Sequence, residues 1–475
     1  MNGLKNVLHT MAGKLCLLTL IINSILVVYN IYKLSSILPS TTIMIAGVIA
    51  VVVFGLLFLL MIKFPKTTIV LHVILAIILV FTSTISTKTT DFTTTVTKTE
   101  EVEVLDIVVK KESKLTQESD LSGLTLAAYI DDTLGLKRAK DILKEHHKEG
   151  VDYKLYDNMV NAYKDLLNGK VDMLVFSSFS TSLLDDELDD YHLKVRSLFS
   201  KEFPIEKLFE TEKVDILKEP FTVYLGGVDL SSNGKINGVG RGDVNILLTV
   251  NPTTKKASLQ VIPRDLYSYN PIKKKSTKLS FSGKWGGVQS SVASIEHELG
   301  IKINYYAKIN FEGLIELVDK LGGIDVYSHY DYVINDYHYK AGVLNHVNGE
   351  QALMMARERK SLPLNERSRG LQQMEIIKGI FNKILQNPSY DYIMDVLDTI
   401  QNNFITSLEE DQFLDAFKLL LSMKDSLTDI EIHSMEGEYN WHDDEIINGY
   451  YYYFYPSEGE IEAARNRIND ILSGK

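Results

Sequence analysis

Six arginines fall in four short motifs of one stretch of the chain: Arg241, Arg264, the pair Arg357 and Arg359, and the pair Arg367 and Arg369. Planar guanidinium groups make paired hydrogen bonds to phosphate oxygens, so a convergent set of them would neutralise a pyrophosphate. The plain alternative is a set of surface ion pairs, and no single arginine decides between the two. Asp229 and Asp243 lie beside strand ends in the same stretch. Two hard carboxylates near a phosphate site suit an octahedral magnesium ion, which completes its shell with substrate oxygens and water. A cap or turn role is the ordinary explanation for either aspartate alone.

The segment RGDVNILLTVNPTTKKASLQVIPRDLY, Arg241 to Tyr267, positions half of these groups. Its apolar runs, Val244 to Val250 and Leu259 to Ile262, read as two strands, and Asn251 to Lys256 supplies the turn chemistry between them. Antiparallel pairing then brings Arg241 and Asp243 close to Arg264 and Asp265. FTVYLGGVDL before it and INYYAKINF after it read as further strands, with a helix around Val292 to Leu299. Phe311 to Leu321 is amphipathic, with Phe311, Leu314, Ile315, Val318 and Leu321 on one face. Gly349 to Leu385 is helical but interrupted around Pro363. Lys273, Lys274, Lys275 and Lys278 form a basic loop that can face lipid or substrate, although such loops are more often simply solvated. The run Tyr450 to Tyr455 reads as an edge strand, whose tyrosines can stack on sugars if they face a groove.

Ahead of this unit, Leu124 to about Ile216 alternates short apolar runs with helical periodicity, the pattern of a small α/β domain. Its acidic run, Asp185 to Asp190, reads as a solvated loop in preference to an ion site. The N-terminal 87 residues hold three apolar runs, Leu15 to Tyr32, Ile43 to Ile62 and Ile69 to Ile85. Each is near the ~20 residues that span a bilayer core. Lys5, Lys14, Lys63 and Lys66 flank these runs so that the positive-inside tendency places the N-terminus in the cytoplasm and everything beyond about residue 88 outside. Asn23, Asn30 and His72 inside the runs read as helix-contact or interface residues. Thr82 to Glu100, rich in threonine and serine, reads as an extended stalk or an edge strand.

The formal net charge is -12, and residues 101–220 hold 26 acidic against 17 basic side chains. That balance counts against nucleic acid as a partner. The single cysteine, Cys16, lies in the first apolar run, so the outer portion forms no internal disulfide, which suits a Gram-positive cell surface. There is no P-loop, zinc spacing, GxSxG elbow or cysteine nucleophile outside the membrane. The expected class is α/β: a cytoplasmic tail (1–14), three transmembrane helices (15–87), a stalk (88–120), a small α/β accessory domain (121–215) and an αβα domain with a mixed central sheet (216–475).

FTVYLGGVDL, RGDVNILLTVNP, VIPRDLY, INFEGLIELVDKLGGIDVY, LNHVNGEQALMMARERKSL and RGLQQMEII, in that order, resemble the LytR-CpsA-Psr family, in its streptococcal capsule-type branch. The resemblance implies a phosphotransferase that moves a capsular or teichoic-acid type glycopolymer from a polyprenyl pyrophosphate carrier to peptidoglycan, with magnesium. It implies that Arg241, Arg264, Arg357, Arg359 and Arg369 hold the pyrophosphate, with Asp243 among the catalytic groups, and that Asp229 and Asp243 hold the metal. Lys278 and Gln373 match positions near the head group, and the helix from Phe311, with Leu314 and Val318, would line an apolar tunnel for the prenyl chain. Relatives often carry an acid just before the last arginine where this chain has Ser368, and Glu366 or Arg367 is placed to compensate. Alternatives are a non-catalytic regulator that binds the lipid-linked polymer beside the capsule-synthesis machinery, and a pyrophosphatase acting on the same lipid. Transcriptional control is disfavoured by the outside placement and the acidic balance.

Overall fold

The computed structural model describes residues 9–35, 40–98, 100–185, 188, 191–205, 212–230, 236–363, 366–428, 430–447 and 449–475. The first eight residues of the tail and most of the acidic run after Asp185 therefore lie outside the described residues. The chain divides into two compact units, one made of Met1–Lys98, Pro388–Gln401 and Leu408–Leu421 and the other of the remainder.

In the first unit, α1 (Met11–Leu34), α2 (Ser40–Lys63) and α3 (Pro65–Lys98) are each long and apolar enough to cross a membrane. The buried polar residues join helices. Asn23 Nδ2 donates to the His72 carbonyl at 3.0 Å, and Asn30 Nδ2 donates to Ser83 Oγ at 2.8 Å. The Thr-rich stretch departs from the extended stalk or edge strand expected of it, because α3 continues through it to Lys98. Threonine is a weak helix former, and here packing overrides propensity. Phe92 and Val96 share one helical face and are buried, with the Phe92 ring edge-on to Phe413 at 5.6 Å. The Thr89 and Thr90 hydroxyls bond back to the carbonyls of Ile85 and Ser86, one turn earlier.

In the second unit, β1 (Val102–Lys110), β2 (Thr125–Tyr129), β3 (Asp152–Tyr156), β4 (Met173–Phe176) and β5 (Val195–Pro204) form a mixed sheet of order β3-β2-β4-β1-β5. The accessory domain thus starts earlier than residue 121, since β1 runs inside its sheet. Helices α4 (Thr133–Glu145), α5 (Met159–Leu167) and α6 (Ser178–Asp185) link its strands, and α4 and α5 bury the faces that their 3.6-residue apolar periods define.

A second mixed sheet follows: β6 (Phe221–Asp229), β7 (Arg241–Asn251), β8 (Lys256–Val261), and beyond a small hairpin of β9 (Tyr267–Asn270) and β10 (Lys275–Lys278), β11 (Tyr305–Asn310), β12 (Phe404–Thr406) and β13 (Glu431–Ser434). The order is β12-β11-β6-β7-β8-β13, with β6 parallel to β11 and β8 parallel to β13. Helix α7 (Leu279–Leu299) covers the face that carries Tyr224 and Leu247. It begins thirteen residues before the stretch read as helical and kinks at Gly286 and Gly287, the latter at φ +64°. Helix α8 (Phe311–Lys320) keeps the expected apolar side, followed by α9 (Gly349–Arg357) and α10 (Glu366–Gln386), which lies over Val261 on the opposite face where Gly370 permits close approach. The aromatic run forms β15 (Tyr450–Pro456), paired antiparallel with β14 (Gly437–Asp443), before the terminal helix Glu460–Ser473.

The two sheets are stitched together at the start of β1. Val102 N donates to the Asn237 carbonyl at 2.7 Å, and Val239 N to the Val102 carbonyl at 3.1 Å. Buried Glu101 pairs with Lys308 on β11 at 2.6 Å and accepts from Val288 N beyond the α7 kink.

Candidate functional site

The β7–β8 hairpin forms as its turn chemistry dictates, and it carries a feature that simple alternation does not contain. Gly227 pairs with Val244 and Val228 with Gly242, so Asp243 is the extra residue of a bulge on β7. A bulge bends the strand and re-aims one side chain. Asn245 braces it, donating to the Gly242 carbonyl at 3.0 Å and accepting from the Tyr224 hydroxyl at 2.8 Å. Asp243 Oδ1 meets Arg264 Nη1 at 2.6 Å and lies 3.9 Å from Arg241 Nε.

From there an ion-pair network extends to the start of α10. Arg264 lies 3.8 Å from Asp265 and 3.5 Å from Glu366. Glu366 also receives Arg359 at 3.2 Å and Arg369, whose guanidinium is one helical turn along α10. Lys278, at the end of β10, points inward to Asp265 at 3.6 Å, whereas Lys273, Lys274 and Lys275 occupy the turn and the β10 start. Among the described residues these ion pairs link five cations to three carboxylates, so that cations predominate, and the side chains of all but Arg359 are about nine-tenths buried or nearly so. Burial alone would raise the Asp243 carboxyl, and Arg264, Arg241 and Arg369 overcome it, holding the group well below the usual carboxylate range. Burial likewise opposes the Arg264 charge, and Asp243, Asp265 and Glu366 more than restore it. Burial and the neighbouring Arg264 push Arg369 down.

The remaining sequence-selected residues are placed differently. Arg357 stands outside this network, its guanidinium 4.8 Å above the Phe311 ring at the start of α8. Gln373 is buried and donates to the Ala356 carbonyl at 3.0 Å, tying α10 to α9. Val318 is fully buried, while Leu314 is partly exposed on α8. Arg367 leaves the cluster to pair with Glu436 at 3.0 Å, so Glu366 supplies the carboxylate that Ser368 does not. Tyr439 on β14 was not singled out in the sequence. Burial raises its hydroxyl pKa above the ordinary range, and the charges of Asp265 and Glu366 add to the rise.

Asp229 ends β6 with its Cα paired to that of Arg241, two residues from Asp243. It also lines a cavity of about 270 Å3 walled on the other side by Asp106, Ser177, Ser178 and Ser197 of the accessory domain. No group of three or more His, Cys, Asp or Glu that could hold a metal occurs among the described residues. Asp229 and Asp243 stand on neighbouring strands close to the same sheet end, and two carboxylates are the donor type that a magnesium ion uses when phosphate and water supply its other ligands.

The LytR_cpsA_psr family model matches residues 195–470, more than half of the chain. The chain belongs to this family. Among relatives, a Bacillus anthracis protein named polyisoprenyl-teichoic acid–peptidoglycan teichoic acid transferase TagU is 33% identical over 254 residues, 54% of this chain and 78% of that one. Its Bacillus licheniformis counterpart is 35% identical over 235 residues, 50% and 72% of the two chains. Among solved structures, protein gbs0355 of Streptococcus agalactiae is 28% identical with a TM-score of 0.48, covering 54% of this chain and 89% of that one. As a LytR_cpsA_psr member, this chain carries the family-matched segment together with the last strand of the accessory sheet, because the match begins at Val195.

Proposed function

We propose that the protein is a membrane-anchored phosphotransferase that joins a polyprenyl-pyrophosphate-linked glycopolymer to peptidoglycan. The observation that carries this reading is the convergence of Arg241, Arg264, Lys278, Arg359 and Arg369, which outnumber the carboxylates they are seen to meet among the described residues and suit the two negative charges of a pyrophosphate diester. Family membership and the names of the relatives point to the same chemistry. The polymer is of capsular or teichoic-acid type, and the work is done at the outer membrane face, with the N-terminus cytoplasmic and the capsule-synthesis machinery as neighbour.

A hydroxyl of the wall glycan attacks the phosphorus next to the polymer. One P–O bond forms, the P–O bond to the bridging oxygen breaks, polyprenyl phosphate leaves with that oxygen, and the hydroxyl proton passes to solvent. The arginines hold the equatorial and leaving oxygens as charge gathers on them. Asp243, held ionised by its arginines, is a poor proton acceptor and serves to orient Arg264 and Arg241. Asp229 and Asp243 would hold magnesium, which supplies further charge neutralisation when bound. The apolar side of α8, with Arg357 over Phe311, receives the prenyl end.

The test incubates the full chain in detergent micelles with a polyprenyl-pyrophosphate oligosaccharide, peptidoglycan and magnesium. Joined product is expected from the wild type and not from Asp243→Ala. Polyprenyl phosphate released without joined product would instead make the protein a pyrophosphatase.

A further inference from the structure

The ribbon of β14 and β15 carries an aromatic stripe that begins at the arginine cluster and runs outward. Phe454 N donates to the carbonyl of Asp265 at 2.8 Å, so β15 rises directly from a residue of the cluster. The Tyr439 ring lies 5.3 Å from that of Phe454. On the same ribbon face Tyr452 stacks on Tyr439 at 5.1 Å, Trp441 follows at 5.4 Å from Tyr452, and Tyr450 stacks on Trp441 at 5.6 Å. The opposite face is spent on packing, with Tyr453 and Tyr455 against Tyr267.

Exposure grows along the stripe, from partly buried Tyr439 to Tyr452 at 43%, Trp441 at 57% and Tyr450 at 61%. Cross-strand aromatic pairs stabilise a ribbon by only about 0.2–1 kcal/mol each. That need is met by the buried face, and a contiguous exposed aromatic surface marks a binding site. Aromatic faces are electron-rich and accept the C–H groups of sugar rings. The charge around the stripe narrows the choice. Residues 437–456 contain four carboxylates, Glu438, Asp443, Asp444 and Glu445, and no lysine or arginine, while Lys275 donates to the Glu445 carbonyl at 3.0 Å and Lys278 lies beside the Tyr451 and Tyr453 rings of the opposite face. On the stripe face itself Asp443 is the charged residue of the ribbon, which favours an uncharged saccharide over a polyol-phosphate chain.

We propose that this ribbon face is the subsite for the first uncharged sugars of the donor glycan, which stack on Tyr452, Trp441 and Tyr450 as they leave the arginine cluster. The assignment to the donor rests on the proposed transferase reading. A pyrophosphate held by Arg264 and Arg369 has its sugar covalently attached, and the ribbon is the surface that rises from beside those groups.

The test uses the full chain in detergent micelles with two lipid-pyrophosphate donors, one bearing a single N-acetylhexosamine and one a neutral tetrasaccharide. Trp441→Ala and Tyr450→Ala are each expected to raise KM for the tetrasaccharide donor about tenfold, near 1.4 kcal/mol, at unchanged kcat. The single-sugar donor and the peptidoglycan KM should not move, and Trp441→Phe should recover most of the loss. Equal KM values for variants and wild type would overturn the proposal. So would an equal rise for both donors together with a lower thermal midpoint, which is the signature of a purely structural ribbon. A rise confined to the peptidoglycan KM, or a larger effect on a glycerol-phosphate oligomer donor than on the neutral one, would overturn the donor or the charge assignment. If the wild type joins neither donor, the transferase reading fails, and the ribbon is then read from tryptophan emission titrated with the free neutral tetrasaccharide. A shift abolished by Trp441→Ala supports the subsite, and no shift overturns it.

Discussion

Glu366 is the carboxylate on which the cation cluster closes, and Glu366→Gln is the most informative single change. It keeps the shape and one acceptor oxygen but removes the charge shared by Arg264, Arg359 and Arg369. Breaking a buried pair costs about 3–5 kcal/mol because the partner charges are left uncompensated. Arg359 is half exposed, so its share falls in the about 0–1 kcal/mol range of surface pairs, and the retained amide oxygen returns about 1 kcal/mol of hydrogen bonding. The net expectation is a loss of about 2–4 kcal/mol in the absence of ligand. The variant adds one to the cluster's positive excess, so an added anion should restore more in the variant than in the wild type. The assay is thermal unfolding of the full chain in micelles over a series of inorganic pyrophosphate concentrations. The gap between the two proteins should narrow as pyrophosphate rises. A variant as stable as the wild type, or a gap that pyrophosphate leaves unchanged, refutes the view that these side chains form one anion-ready cluster.

Arg264→Ala should lower the transfer rate constant by about 10²–10³-fold, the scale of losing one preorganised charge donor. Arg264→Lys should not restore it, because a point charge cannot span Asp243 and Glu366 together. Asp243 has a folded pKa below its unfolded value, so the unfolded chain takes up the proton first and stability rises with pH in that window. Its contribution is full above the unfolded value of about 3.9 and fades as pH falls below it, so wild type and Asp243→Asn should converge in stability only below about pH 4. Gly287→Ala puts a side chain at positive φ and against the Glu101 carboxylate, which should cost about 1–3 kcal/mol and loosen amide exchange protection at Val288.

The hairpin was legible because Asn251 and Pro252 punctuate two apolar runs, and its pairing sets the Arg264 end of one strand beside the Asp243 end of the other. The three apolar helices were legible from length and composition. The continuation of α3 through its threonines was not, because it depends on Phe92 meeting Phe413, a contact 321 positions away in the chain. The same holds for Glu101 and Lys308, which join the accessory strand β1 to the second sheet. Among the site residues, Arg357 shows the limit of spacing arguments. It sits two residues from Arg359, yet α9 ends between them, so one guanidinium turns to Phe311 and the other to Glu366. The aim of Asp243 depends on a bulge, and a single extra residue leaves no mark in the apolar pattern of β7.

That bulge bears on how the cluster works. Without it, strict alternation would continue from Asn245 through Asp243 to Arg241 and present Asp243 in line with them, not turned to Arg264. By placing the extra residue there, β7 sets a permanently ionised carboxylate against the two arginines nearest the end of β6, where Asp229 stands. Three carboxylates inside a cationic site weaken each arginine's hold on phosphate, yet five bare cations at this burial would repel one another and open the site. The carboxylates keep the guanidiniums spaced and oriented, and the positive charge they leave unmatched is the part left for the ligand to fill. Affinity for the diphosphate therefore depends on the difference between the two charge sets more than on the number of arginines. Removing one carboxylate and removing one arginine should accordingly shift pyrophosphate binding in opposite directions.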